Sequence, residues 1–121
     1  PEGASQHVTA GPYSPVLEIE SGKIVVISGQ VAVDKDGNVV GDDIKTQTEY
    51  TLKNCENQLK TAGCTLEDVF KVNIFMTDLV MWGDLNEVYS SLMPDPKPVR
   101  TAVQAGLLPG YLVEIEMWAA K

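Results

Sequence analysis

Between Ile44 and Ala62 the apolar or small residues Ile44, Thr48, Leu52, Cys55, Leu59 and Ala62 recur at steps of four, four, three, four and three, the period of a helix with one buried face. Asp42-Asp43 ahead of the stripe supplies a capping carboxylate, and Gly63 behind it a stop. A second stripe, Trp82, Leu85, Val88, Tyr89 and Leu92, is cut off by Pro94-Asp95-Pro96-Lys97-Pro98, because residues before proline are pushed out of the helical region. The remaining apolar segments alternate with period two. Val69 to Thr77 places Phe70, Val72, Ile74 and Met76 on one face and Val69, Lys71, Asn73 and Phe75 on the other, as in a strand whose second face is wet or packed on another chain. Arg100–Ala105 and Leu112–Trp118 predict two further strands across Gly106-Leu107-Leu108-Pro109-Gly110. Val16–Glu20 and Lys23–Ile27 predict a hairpin turning at Ser21-Gly22. A short capped turn is expected at Thr65-Leu66-Glu67-Asp68.

The order is therefore ββ(β)–α–β–α–β–β, an α+β chain with a two-layer mixed sheet and two helices on one face. At 121 residues the chain has room for one core, so residues 1–121 form a single domain. The Lys23–Ile27 run is apolar on both faces for four residues, Ile24 to Ile27, and two helices cover only one side of a sheet. The other side is expected to meet a neighbouring copy.

Nine Lys and Arg stand against 17 Asp and Glu, a net charge of −8. With the basic residues scattered singly, the chain repels phosphate backbones and anionic membranes, so nucleic acid is an unlikely partner. No apolar run approaches the roughly 20 residues that span a bilayer, and no basic-then-apolar leader opens the chain; a cytoplasmic protein is expected. Cys55 and Cys64 are the only cysteines and His7 the only histidine, so neither a zinc cluster nor a disulfide framework is expected. Cys55 sits on the helix stripe as an inert core thiol, Cys64 is expected to be more exposed, and His7 is placed at the surface. Asp34-Lys35-Asp36-Gly37-Asn38 lacks the ligand spacing of a calcium loop and is expected to be a turn.

Alternation through Val113-Glu114-Ile115-Glu116-Met117 sets both acids on one face, either a solvated strand surface or a functional one. Arg100 follows a proline-rich loop at a strand start, where its planar fork suits a carboxylate ligand or an internal salt bridge. In Ser28-Gly29-Gln30 the glycine permits close approach of a ligand or simply ends a strand. Tyr13, in Gly11-Pro12-Tyr13-Ser14, is open to readings as a binding group or a core lid. Nucleophile-elbow, P-loop and dinucleotide motifs are absent.

Gly11-Pro12-Tyr13-Ser14, Ser28-Gly29-Gln30, Asn86-Glu87-Val88-Tyr89, Pro98-Val99-Arg100 and Leu108-Pro109 with Val113-Glu114-Ile115-Glu116, in this order, resemble the Rid/YjgF family of reactive intermediate deaminases, also labelled endoribonuclease L-PSP. The resemblance spans nearly the whole chain. It implies a chorismate-mutase-like fold, a homotrimer with clefts between subunits, and cofactor-free hydrolysis of enamines and imines such as 2-aminoacrylate and 2-aminocrotonate to 2-keto acids and ammonia. By the same resemblance Arg100 would hold the substrate carboxylate and Glu114 would orient water or shuttle protons. Tyr13, Ser28, Gly29 and Asn86 match other cleft positions, and Ala102 matches one that is often cysteine. Val80-Met81 stands where family members often carry Asn-Asp, and Gln104-Ala105-Gly106-Leu107 where they often carry Glu-Val-Ala-Arg. A module that binds small carboxylates without turnover, and the endoribonuclease label itself, are the alternative readings of the same resemblance.

Overall fold

The computed structural model describes residues 1–8 and 11–121. Strand β1 spans Ile24–Gln30, helix α1 Ile44–Thr61, β2 Val69–Met76, α2 Trp82–Leu92, β3 Val99–Gln104 and β4 Val113–Ala120. Short 3-10 turns at Leu66–Asp68 and Leu79–Met81 lead into β2 and α2. The four strands form one mixed sheet in the order β1-β4-β2-β3, in which β4 runs antiparallel to both neighbours and β2 is parallel to β3. A parallel pair needs a long crossover, and α2 supplies it between β2 and β3. β4 then inserts between β1 and β2, so the last strand closes the sheet.

Both helices lie on one face. Val72, Ile74 and Met76 of β2, Val113, Ile115, Met117 and Ala119 of β4, and Ile27 of β1 point into them and are buried with Leu52, Cys55, Leu59, Leu85 and Tyr89. The opposite face carries Ile24, Val26, Lys71, Asn73, Phe75, Thr101, Val103, Glu114, Glu116 and Trp118, none of them buried. Ile24 and Val26 keep more than half of their surface, at 53% and 57%. An uncovered sheet face of this breadth exposes apolar area that a monomer rarely leaves to water.

Helix α1 starts where its cap predicts, with Asp43 accepting from the Thr46 amide at 3.0 Å, and it is followed by Gly63 at φ +77°. Its buried face includes an amide. Gln47, wholly buried, donates to the Gly41 and Gly110 carbonyls at 3.0 and 2.8 Å and accepts from the Leu112 amide at 2.8 Å. One side chain thus ties the helix to two loops that lack ladder partners of their own.

Several expectations change. The hairpin at Ser21-Gly22 does not form: Lys23 exchanges both backbone hydrogen bonds with Lys121, and Ile24 pairs with Ala120. β4 offers eight residues with a buried alternating face, which outweighs a five-residue local partner whose burial is poor. The expected third early strand reduces to a single Val33–Val39 bridge around the Asp34 turn, where Asp34 Oδ1 accepts from the Asp36 and Asn38 amides. A register shift between Val69 and Lys71 turns Val69 inward and leaves Phe70 half-buried. Leu92 is exposed, and Met93, in extended conformation past the end of α2, fills the core in its place. Cys64 is buried, not exposed.

Candidate functional site

β3 begins as the Pro94–Pro98 loop ends, and the register pairs Arg100 with buried Val72, which aims the guanidinium toward α2. The side chain is 9% exposed. Its Nη1 donates to Asn86 Oδ1 at 2.7 Å, and its Cζ lies 4.9 Å from the Tyr89 ring centroid and 5.4 Å from that of Tyr13. Tyr13 is held there by Ser14, whose amide donates to the Pro98 carbonyl at 3.1 Å and whose hydroxyl donates to the Lys97 carbonyl. Gly11 completes the wall: a Cβ on it would stand 2.9 Å from Trp82, 3.1 Å from Arg100 Nη2 and 3.2 Å from Tyr13, so a side chain there would have to displace the guanidinium or a ring.

Among the described residues no carboxylate pairs with Arg100. Its Nε has no hydrogen-bond partner among the described residues. Burial pulls its pKa below the ordinary arginine value, and the two tyrosines oppose the shift; a guanidinium nevertheless stays charged in proteins. A buried, un-neutralised cation with unused N–H donors is a receptor for an anion.

Glu114 occupies another place. It pairs with Phe75 on β2, is half-buried, and lies across the backbone of Gly29, where a Cβ would overlap its carboxylate and come within 3.0 Å of Cδ. The β1–β4 register breaks between Ile27 and Gln30, and Ser28 and Gly29 fill the irregularity, with Gln30 Nε2 donating to the Ser28 carbonyl at 3.0 Å. Arg100, Tyr13, Asn86 and half-buried Ala102, which pairs with Ile74, therefore form one group on the helix side. Glu114, Ser28 and Gly29 form a second group at the open side. Within one protomer the sheet separates them.

A recess of about 360 Å³ joins Tyr13, Ser14 and Arg100 of the first group to the open-face residues Lys71, Asn73 and Thr101, and is lined by no Asp or Glu. A larger one of about 450 Å³ lies on the outer surface of the helices, with Glu49, Lys53 and Glu56 in its lining. It contains none of the residues selected from the sequence, and its acidic lining suits no carboxylate.

The family model for endoribonuclease L-PSP matches residues 4–121. The chain belongs to this family. Fission yeast (Schizosaccharomyces pombe) protein mmf2, mitochondrial, is 43% identical and covers 100% of this chain and 97% of its own. A RutC family protein of the archaeon Pyrococcus horikoshii is 41% identical over 92% of this chain and 88% of its own. Among solved structures, RidA of an Antarctic Psychrobacter superposes with a TM-score of 0.77 at 36% identity over 98% of this chain and 94% of that one. A Rid-family protein of Yersinia pestis reaches 0.84 at 29% over 100% and 95%. The Rid/YjgF resemblance read from the motifs is thereby shown, as is the α+β fold with its four-stranded sheet and two helices.

Gln104 Oε1 accepts from the Leu79 amide at 3.0 Å, so it caps the turn ahead of α2 and does not line the Arg100 group. Trp82, at the first position of α2, closes in on Gly11. The sequence presents Tyr89 as a member of the helix stripe and of the Asn86-Glu87-Val88-Tyr89 motif, without a site role. Its spacing of three from Asn86, which puts both on one face of a helix, is the signal that could have joined it to Arg100.

Proposed function

We propose that this chain hydrolyses reactive 2-imino acids and their enamine tautomers, such as those of 2-aminoacrylate and 2-aminocrotonate, to 2-keto acids and ammonia. The observation that carries the reading is Arg100: buried, charged, without a carboxylate partner, beside a recess lined without acids. The substrate carboxylate binds this guanidinium by charge-assisted hydrogen bonds. Water adds to the imine carbon while Glu114 accepts its proton and returns one to nitrogen; the tetrahedral adduct then expels ammonia and leaves the keto group. Holding an already reactive imine beside an oriented water accounts for acceleration through positioning.

Because Arg100 and Glu114 sit on opposite sides of the sheet, one copy cannot present both to one ligand. The reading therefore includes a homotrimer, in which Glu114, Ser28 and Gly29 of one copy meet Arg100, Tyr13, Asn86 and Ala102 of the next. The uncovered face with Ile24 and Val26 supports such contact. The endoribonuclease label is disfavoured by the net charge of −8, which opposes binding of a phosphate backbone.

The test is a coupled assay with a pyridoxal-phosphate threonine dehydratase, following 2-oxobutanoate release with the wild type, with Arg100→Ala and without either. Acceleration by the wild type alone supports the reading. No acceleration, together with thermal stabilisation by 2-oxobutanoate, would instead make the chain a carboxylate-binding module.

A further inference from the structure

We propose that Tyr89 is a positioning residue for Arg100: its ring stabilises the buried guanidinium without neutralising it, and so keeps the charge available for an anionic ligand. The proposal rests on the reading of Arg100 as the carboxylate anchor and extends it to a residue that never touches the ligand.

A buried arginine commonly meets an aspartate or glutamate, and the cation is then spent on an internal ion pair. Here α2 offers something else. Asn86 and Tyr89, three apart on one helical face, supply an amide oxygen 2.7 Å from Nη1 and a ring 4.9 Å from Cζ. Tyr13, from the N-terminal segment, adds a second ring at 5.4 Å. An aromatic face attracts a cation through its quadrupole and carries no net charge. An acid in its place would compete with the ligand carboxylate for the same guanidinium.

Tyr89 is not merely core filling. It is wholly buried, and among the described residues its hydroxyl, like Arg100 Nε, has no hydrogen-bond partner. A phenylalanine would fill the same space and offer the same π face, so the proposal rests on the ring and leaves the hydroxyl without a structural explanation. The nearby charge does act on it: burial pushes the phenol pKa upward, and Arg100 pulls against that shift.

The experiment uses the full chain with Tyr89→Phe, Tyr89→Leu and Tyr89→Met, the last because a flexible thioether fills a ring-sized gap well. Two readouts are taken: the nitrogen-15 NMR signal and solvent exchange of the Arg100 Nε–H, and the Kd for 2-oxobutanoate. Tyr89→Phe, which keeps the π face, should hold Kd within about twofold. The ringless variants should weaken binding roughly tenfold, with faster Nε–H exchange and an otherwise unchanged backbone spectrum. In an Arg100→Ala background the same substitutions should cost nothing further. An unchanged Nε–H and Kd in the folded ringless variants overturns the proposal, as does an equal loss with or without Arg100. If 2-oxobutanoate fails to bind the wild type, the carboxylate reading fails, and the Nε–H signal still decides whether Tyr89 holds the guanidinium.

Discussion

The two faces of the sheet hold the two halves of the proposed chemistry under opposite conditions. On the helix side Arg100 is enclosed by α2, by the N-terminal segment and by rings on two sides, a setting that fixes a cation and strips it of water. On the open side Glu114 rests on a glycine at a strand irregularity, in a setting that another copy can approach. The covered face provides a rigid anchor; the uncovered face provides reach across a boundary. On the proposed reading, this two-layer domain completes its ligand site by presenting different halves of it to different neighbours.

The largest effect that would sharpen this contrast comes from its two charged residues. Arg100→Ala and Glu114→Gln should each reduce keto-acid release by about a hundredfold or more, the first mainly through ligand affinity and the second mainly through kcat. Co-refolding the two inactive variants should then restore roughly a quarter of the sites, those pairing an intact Arg100 with an intact Glu114 from different copies. Absence of any recovery, in mixtures shown by native mass spectrometry to exchange subunits, would place the site within one chain and break the comparison.

Next in size is Gly29→Ala. A methyl there collides with the Glu114 carboxylate, so kcat should fall about tenfold through misplacement. The Kd for 2-oxobutanoate, set on the other face, should stay within about twofold of wild type.

On the helix side, Gln47→Ala should lower unfolding stability by roughly 2–4 kcal/mol by orphaning the Gly41, Gly110 and Leu112 backbone groups, as measured by urea titration. The relative affinity of the folded fraction for 2-oxobutanoate should be preserved. The smallest effect belongs to Asp43. Its pKa is lowered from 3.8, chiefly by the hydrogen bonds from Thr46. A depressed carboxylate contributes stability above its unfolded pKa and loses it as pH falls through the folded one. Asp43→Ala should accordingly melt slightly earlier than the parent at pH 7, and the two should converge once acid has protonated the cap.

What was legible in the sequence and what was not divides along the range of the interactions involved. The bounds of α1, the parity of Val72, Ile74 and Met76, and the shared face of Glu114 and Glu116 all follow from patterns within one element. The partner of β1 did not, because Ile24 pairs with Ala120, whereas the turn residues Ser21-Gly22 point to a nearer strand. The inward turn of Val69 depends on a register shift against β4, and the burial of Met93 in place of Leu92 on where α2 stops. For the candidate site, motif resemblance supplied Arg100, Glu114 and Asn86. That Asn86 bonds to Arg100, and that the Tyr89 ring lies 4.9 Å from the same guanidinium, depends on how α2 is placed beside Arg100.

Cys55 and Cys64 are 0% and 1% exposed, and burial pushes the Cys55 thiol up to about 12. Thiolate is the form that reacts, so both thiols of the folded protein should be indifferent to peroxide and to alkylating reagents at neutral pH. Every sulfhydryl modification would then report an opening of the core, which makes the pair of cysteines a native clock for how often this fold comes apart.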